Sequence, residues 1–332
     1  MTSHSVKTTV ANPAPILHAA TGFMAAKQLF AAAKCGLFGA LEDEPLTVPE
    51  LAARTGLPER SARILADAMT GLRLLVFEHG RYRNAEAASA YLSGRGEGPD
   101  LRPFLEFWDG LSYPHWQSYV DAVWAAAPAP FELDEQRMGV FLGGVQTYNS
   151  LHALMLAEHY DFGRHRRLLD LGGLSSAFLT EAVSRHSGLS GAFVATGDLL
   201  ESARAAAPPE FRDRIEFHDA DVLADLIPGR YDAVLLEHVV HRYDAEQNQV
   251  ILGRAREVAE DGARLLLLDF LLEPAEGRRL DALFAGEYLV VDGTVVYPES
   301  EVRGWLEKTG WRWLETMALP GSPRVLIAEA AA

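Results

Sequence analysis

The sequence predicts an open α/β sheet of mostly parallel strands, preceded by a smaller helical domain that ends in a hairpin. Three observations carry this expectation. Arg167 to Ala182 reads as a short buried strand, a glycine turn and an amphipathic helix. After it, strands alternate with helices until a final antiparallel pair, and before it several helical segments lead into two short strands.

Composition sets the outer bounds. A chain of 332 residues is long enough for two domains with substantial cores. Its 48% hydrophobic and 23% charged residues are those of an ordinary globular protein. The net charge of −16 argues against non-specific attraction to nucleic acid or to anionic membranes. Cys35 is the single cysteine and has no internal disulfide partner, which suits a reducing compartment; it reads as plain packing in an Ala-rich helix. Lys27 and Lys34 interrupt the early apolar stretch, and no run approaches the roughly 20 apolar residues of a spanning helix. A cytoplasmic location is the expectation.

Residues 1–13 are polar and expected to be loose. From Pro15 to Leu41 apolar residues recur at helical spacing, ending at Gly39. Thr47-Val48-Pro49-Glu50 forms a capping-box start, and the helix through Arg54 stops at Gly56. Pro58 opens a helix from Glu59 to Thr70 that stops near Gly71. Leu74 to Phe77 and Tyr82, around His79-Gly80, read as two short strands. Helix, helix, helix, hairpin is the winged-helix pattern. DNA binding does not follow, because residues 1–100 hold ten Lys and Arg against ten Asp and Glu, with no basic stripe. Dimerisation fits better, since the apolar faces of the first helices exceed what so small a domain buries alone.

Residues 101–160 are helical and rich in rings, among them Phe107, Trp108, Trp116 and Tyr148, with His152 close by. They read either as packing between domains or as an aromatic-lined cap over a binding site. The domain boundaries expected are therefore 1–100, 101–160 and 161–332.

In the α/β domain, Gly172 and Gly173 follow the Asp170 strand and permit a close backbone approach to a ligand. The next helix aims its free N–H groups at that ligand. A second strand, Gly191 to Thr196, precedes Asp198, an acid placed either to bind a ribose hydroxyl pair or to cap the next helix. Ile215 to His218 is a third strand, followed by Asp221 and Val222. Tyr231 to Leu236 is a fourth, ending at Glu237-His238-Val239-Val240-His241. A helix from Ala245 to Ala259 returns to the strand Ala263 to Phe270, which carries Asp269. Trp311 to Ala318 and Arg324 to Glu329 close the chain as a hairpin around Pro320-Gly321.

In this order and spacing the residues resemble the S-adenosylmethionine-dependent O-methyltransferases of the plant caffeate type and their bacterial natural-product relatives. The resemblance covers nearly the whole chain and implies a class I methyltransferase Rossmann-like sheet with an N-terminal winged-helix dimerisation domain, hence a homodimer. Thr47 to Gly56 resembles the family's "T-x-x-E-L-A-x-x-x-G" run, and Asp170-Leu171-Gly172-Gly173 the start of its cofactor loop. Asp198 falls at the ribose-binding acid, Asp221 and Val222 at the adenine contact, and Glu237 at a position often lysine in plant members. His238 to His241 resembles "H-V-L-H-D-W", whose second histidine is the base, and Asp269 falls where an acid orients it. The implied acceptor is an aromatic or polyketide-like molecule met by Phe107, Trp108, Trp116, Tyr148, His152 and His238.

The chain also departs from that pattern. Two glycines of the family's "D-x-G-G-G-x-G" loop are Leu174 and Ser176 here, and the Asp-Trp after the histidine is Arg242-Tyr243. A second acid flanking the histidine is expected between Gly293 and Glu299, where Val296 aligns and Glu299 lies near. An alternative therefore stands beside methyl transfer: a hydroxylase, decarboxylase or cyclase on the same fold, with S-adenosylmethionine binding altered or lost. A non-catalytic regulatory protein is disfavoured by the acidic charge. No metal is expected, because two histidines three apart, with His115 or His152 added, arise commonly by chance.

Overall fold

The structure is a computed structural model and describes residues 11–130 and 133–331. The expected loose stretch 1–13 lies outside the described residues as far as residue 10. Two compact units divide the chain, residues 1–109 and 110–332.

In the first unit the expected single helical run from Pro15 to Leu41 is three helices: α1 (Ala14–Ala20), α2 (Gly22–Lys34) and α3 (Leu37–Ala40). The run breaks at Thr21, whose hydroxyl donates back to the Leu17 carbonyl at 2.8 Å, and again at Cys35-Gly36. The capping box on Thr47 and Glu50 is present and starts α4 (Val48–Thr55). Then come α5 (Glu59–Gly71), the antiparallel pair β1 (Leu75–Glu78) and β2 (Arg81–Asn84), α6 (Glu86–Leu92) and α7 (Arg102–Phe107). Phe30, Leu37, Phe38, Leu51, Met69 and Tyr82 form its core. Ile16, Leu17, Phe23 and Met24 stay at least half exposed on α1 and α2, an apolar face left outside that core.

The second unit begins with the short α8 (Tyr113–His115), α9 (Tyr119–Ala125) and the long α10 (Glu135–His159). The α/β part follows: β3 (Arg167–Leu171), α11 (Ala177–Arg185), β4 (Ser190–Ala195), α12 (Gly197–Ala206), β5 (Ile215–Asp219), β6 (Tyr231–Glu237), α13 (Ala245–Val258) and β7 (Ala259–Asp269). Two helices, α14 (Arg279–Val291) and α15 (Glu299–Lys308), precede the hairpin β8 (Trp311–Ala318) and β9 (Arg324–Ala330).

The seven-stranded sheet has the order β5-β4-β3-β6-β7-β9-β8, parallel except where β9 pairs with β7 and β8. Its central strands are apolar on both faces, as a covered parallel sheet requires. Leu169, Leu171, Val234, Leu236, Leu265 and Leu267 pack with α13 and α15 on one side. Leu168, Ala233, Leu235, Leu266 and Leu268 pack with α10, α11 and α12 on the other. The period of two along each strand thus builds a three-layer unit.

The chain moves outward from β3 through β4 to β5, then returns to lay β6 on the other side of β3. Strand order reverses between β3 and β6, so the loops leaving their carboxyl ends splay apart and leave a crevice. Residues 172–176 and 238–242 are those loops. Arg324 on β9, fully buried, ties in the last helices: it donates to Asp281 at 2.8 Å, Glu276 at 2.7 Å and Glu299 at 3.2 Å. That cluster fastens α14 and α15 to β9, and α14 carries Tyr288 to the crevice.

Candidate active site

On the β3 side, Gly172 has φ +77°, and a Cβ there would stand 3.2 Å from Val222 Cγ1. A Cβ on Gly173 would stand 2.4 Å from both Asp170 Oδ1 and Glu237 Oε1. Bare backbone at these positions is what lets the loop lie over two buried acids. Glu237 Oε1 accepts from the Leu174 N–H at 2.7 Å and from the Ser175 N–H at 3.4 Å, and the Gly173 N–H faces the Asp170 carboxylate, while Glu237 Oε2 has no hydrogen bond. Burial pushes Glu237 up to about 8 against the pull of Arg242 and the loop N–H groups. Burial and then the neighbouring Glu237 push Asp170 well above the usual carboxylate range.

Arg242 stitches the two loops together. It donates to the His238 carbonyl at 2.7 Å and to the Gly172 carbonyl. The guanidinium therefore stands where the resembled family has an acid, and supplies the positive charge facing Asp170 and Glu237. His238 has φ +52°, a left-handed backbone that a non-glycine side chain resists. Its N–H donates to the Leu268 carbonyl at 2.9 Å and its carbonyl is held by Arg242, so the strain is fixed from both sides.

At the β6 and β7 ends, His241 Nδ1 lies 3.1 and 3.0 Å from the two oxygens of Asp269, and the His241 backbone N–H donates to Asp269 Oδ2 at 3.2 Å. Burial opposes the charge on Asp269, but the His241 ring and the His241 N–H outweigh it and hold the carboxyl below its usual range. An ionised Asp269 accepts the Nδ1–H and leaves Nε2 as the nitrogen able to take a proton. This is the geometry of an oriented imidazole base. Ligand atoms of His238, His241 and Asp269 lie within 4.8 Å of one another, but both Asp269 oxygens are already engaged by His241, so the cluster is a hydrogen-bonded pair beside a third ring.

Rings pack around this pair. His238 Nε2 and His152 Nδ1 are 2.9 Å apart, both wholly buried. Burial pushes His238 down to about 3 and His152 well below its usual value, so both are neutral at working pH. Tyr148 meets the His152 ring edge-on at 3.8 Å, Phe270 stacks on Phe284 at 4.0 Å, and Tyr288 lies 4.6 Å from the His241 ring. Sequence reasoning named Tyr148, His152, His238, His241 and Asp269, and the structure gathers all five. It missed Phe270, Phe284 and Tyr288. A Phe and a Tyr four apart on an apolar helix were the available signal for the last two.

The remaining expected residues are dispersed over other elements. Asp198 is exposed in the first turn of α12, and Asp221 is exposed after β5, where its carboxylate accepts from the Leu223 N–H at 2.8 Å. Trp116 donates its indole N–H to Glu287 at 2.6 Å. Phe107 and Trp108 belong to the first unit, where Trp108 packs against the core around Phe30. Ser176 is buried and donates its hydroxyl to the Ala203 carbonyl at 2.8 Å, whereas Leu174 is partly exposed. The acid expected between Gly293 and Glu299 is not beside His241: Val296 is buried, and Glu299 is bonded to Arg303, Thr316 and Arg324. His115 hydrogen-bonds the Leu111 and Pro130 carbonyls at 2.8 and 3.2 Å.

Comparison with known proteins gives this geometry its context. A family model described as an O-methyltransferase domain matches residues 117–312, and one described as an O-methyltransferase dimerisation domain matches residues 17–94. The chain belongs to the O-methyltransferase family. This methyltransferase is 32% identical to 3-hydroxy-5-methyl-1-naphthoate 3-O-methyltransferase of Streptomyces sahachiroi, over 95% of this chain and 94% of that one. It is 28% identical to the N,N-dimethyltransferase OxyT of Streptomyces rimosus, over 91% and 92% of the two chains. Among solved structures it is similar to the S-adenosylmethionine-dependent methyltransferase SibL in its apo form, with a TM-score of 0.84 and 26% identity over 97% of this chain and 100% of that one. The expected class I fold and dimerisation domain agree with these likenesses, and none of them favours a non-methylating enzyme. No described helix of the methyltransferase is long and apolar enough to cross a membrane.

Proposed function

We propose that the methyltransferase moves the methyl group of S-adenosylmethionine to a hydroxyl of an aromatic, polyketide-like small molecule, with His241 as general base and Asp269 as its orienting partner. The observation that carries this is the His241–Asp269 pair, 3.0 Å apart at the carboxyl ends of β6 and β7, beside a cluster of aromatic rings. The relative whose name specifies a hydroxynaphthoate supports the acceptor class.

The residues on the β3 side fit the donor. Asp170 and Glu237 bury two carboxylates side by side, and Glu237 Oε2 lacks a hydrogen bond, which suits the ammonium of an amino acid. Gly172 and Gly173 leave backbone bare beside them, and Val222 closes the cleft with an apolar wall. Ser176 turns its hydroxyl toward Ala203 and Leu174 is partly exposed, so neither removes that cradle. Asp198 and Asp221, at the ends of the next two strands, are assigned to the ribose and the adenine side. The sulfonium, when bound, supplies a methyl carbon already activated for displacement. The protein then has two tasks, alignment and proton removal.

Alignment supplies up to roughly 7–11 kcal/mol in well-oriented reactions. Here Tyr148, Phe284 and Tyr288 are the rings placed to stack on a planar acceptor, and the His152–His238 pair beside Tyr148 is neutral. His241 Nε2 takes the hydroxyl proton, and the resulting imidazolium is stabilised by the Asp269 carboxylate. We further propose that two copies pair through the dimerisation domain, covering Ile16, Leu17, Phe23 and Met24.

The test is incubation of the purified protein with S-adenosylmethionine and a panel of hydroxylated naphthoic acids and related phenols, read by mass spectrometry. Expected is an acceptor heavier by one CH₂, formed in equal amount with S-adenosylhomocysteine. An acceptor that is hydroxylated, decarboxylated or cyclised without gaining a methyl would overturn the reading.

A further inference from the structure

Asp170 and Glu237 form an arrangement that a simple ammonium clamp does not need. They come from adjacent parallel strands, both are fully buried, and one added methyl on Gly173 would touch an oxygen of each. The groups facing the pair are few. Among the described residues the cation facing it is Arg242, from the turn after β6, whose guanidinium is held on the Gly172 and His238 carbonyls. Asp269, from β7, adds negative charge, and His238 is neutral. The Leu174 and Ser175 N–H groups donate to Glu237 Oε1 at 2.7 and 3.4 Å, and the Gly173 N–H faces Asp170. Two desolvated carboxylates of this kind do not both ionise beside a single guanidinium.

We propose that Asp170 and Glu237 are a proton-exchanging subsite for a cationic amine, holding one shared proton when empty and releasing it to solvent when the ammonium of an amino-acid nucleoside enters. The charge balances: one positive group arrives, one proton leaves, and the buried site keeps its net charge. The inference rests on the donor reading above and adds to it a selectivity and a pH dependence. Burial pushes Glu237 up to about 8 and Asp170 well above its usual range, so the pair is protonated at neutral pH. Below that range the proton must be displaced before the amine binds. Affinity for an amine-bearing nucleoside therefore rises with pH, by up to about tenfold per unit for one full proton. A nucleoside without the amine has no such dependence.

The experiment is titration calorimetry of the full-length protein with S-adenosylhomocysteine and with methylthioadenosine, which lacks the amino-acid ammonium. Each is measured at pH 6 and 7 in buffers of contrasting ionisation heat, where the ligand's amine keeps its own proton. Expected for S-adenosylhomocysteine is release of about half to one proton at pH 7, with affinity several-fold higher at pH 7 than at pH 6. Methylthioadenosine is expected to show neither. In Glu237→Gln the release should fall below the wild-type value, and the wild-type comparison of the two nucleosides stands even where that variant does not bind or fold. Binding of S-adenosylhomocysteine without proton release overturns the inference alone. Absence of binding by both nucleosides overturns the donor reading and the inference with it.

Discussion

Replacing His241 by glutamine is expected to lower kcat for methyl transfer by about 10²–10⁴-fold, the usual contribution of a positioned base. Donor affinity should stay as in the wild type. Glutamine retains a side chain that can donate to Asp269, but it offers no nitrogen able to take a proton. Asp269 lies 3.0 Å from the imidazole and is held ionised, so the base is oriented before the acceptor arrives. Steady-state kinetics with both substrates saturating, beside calorimetry of the donor, separate the two effects. A loss of less than about tenfold in kcat would mean that proton removal contributes little to the barrier.

The second large effect is expected at Gly173. An alanine Cβ would stand 2.4 Å from carboxylate oxygens of both Asp170 and Glu237, closer than real contacts allow. Neither acid is the free end of a flexible surface chain: both are buried, and Glu237 is held by the Leu174 N–H. Gly173→Ala must therefore shift the loop or rotate the acids, at about 1–3 kcal/mol for overpacking of this kind. The expected readout is donor binding weakened by about 5- to 150-fold, with a melting temperature lower by several degrees. Gly172→Ala is the informative companion, because its φ of +77° strains the backbone while the nearest atom, at 3.2 Å, belongs to Val222 rather than to an acid. Unchanged donor binding in Gly173→Ala would remove the loop from the donor site.

Legibility in the sequence followed the range of the interaction. The strand, turn and helix around Asp170 were readable because strand burial, a glycine turn and helix periodicity are all local. So was the capping box of Thr47 and Glu50. Helix α14 gave no such signal: Arg-Leu-Asp-Ala-Leu-Phe-Ala-Gly-Glu-Tyr-Leu-Val-Val has no clean apolar stripe, and its place depends on Arg324, 43 residues beyond Asp281. The four-residue spacing of Phe284 and Tyr288 was a local signal, but it does not say what the pair faces. The contact of His152 with His238 joins residues 86 apart and follows no spacing rule. Glu299 was near the expected place in sequence, yet it pairs with Arg324 and Arg303, because a buried guanidinium recruits nearby carboxylates. The role of Arg242 was hidden for a related reason. Only the fold brings its guanidinium to the Gly172 carbonyl, 70 residues away.

The central claim is that His241 and Asp269 work as one unit in removing the acceptor's proton. The double variant His241→Gln/Asp269→Asn tests it through its single-turnover rate of methyl transfer, compared with each single variant. A rate no lower than that of His241→Gln alone is expected, since removing the orienting acid has nothing left to disturb once the base is gone. Losses that multiply would show that the two residues act independently, and Asp269 would then have another role in the site.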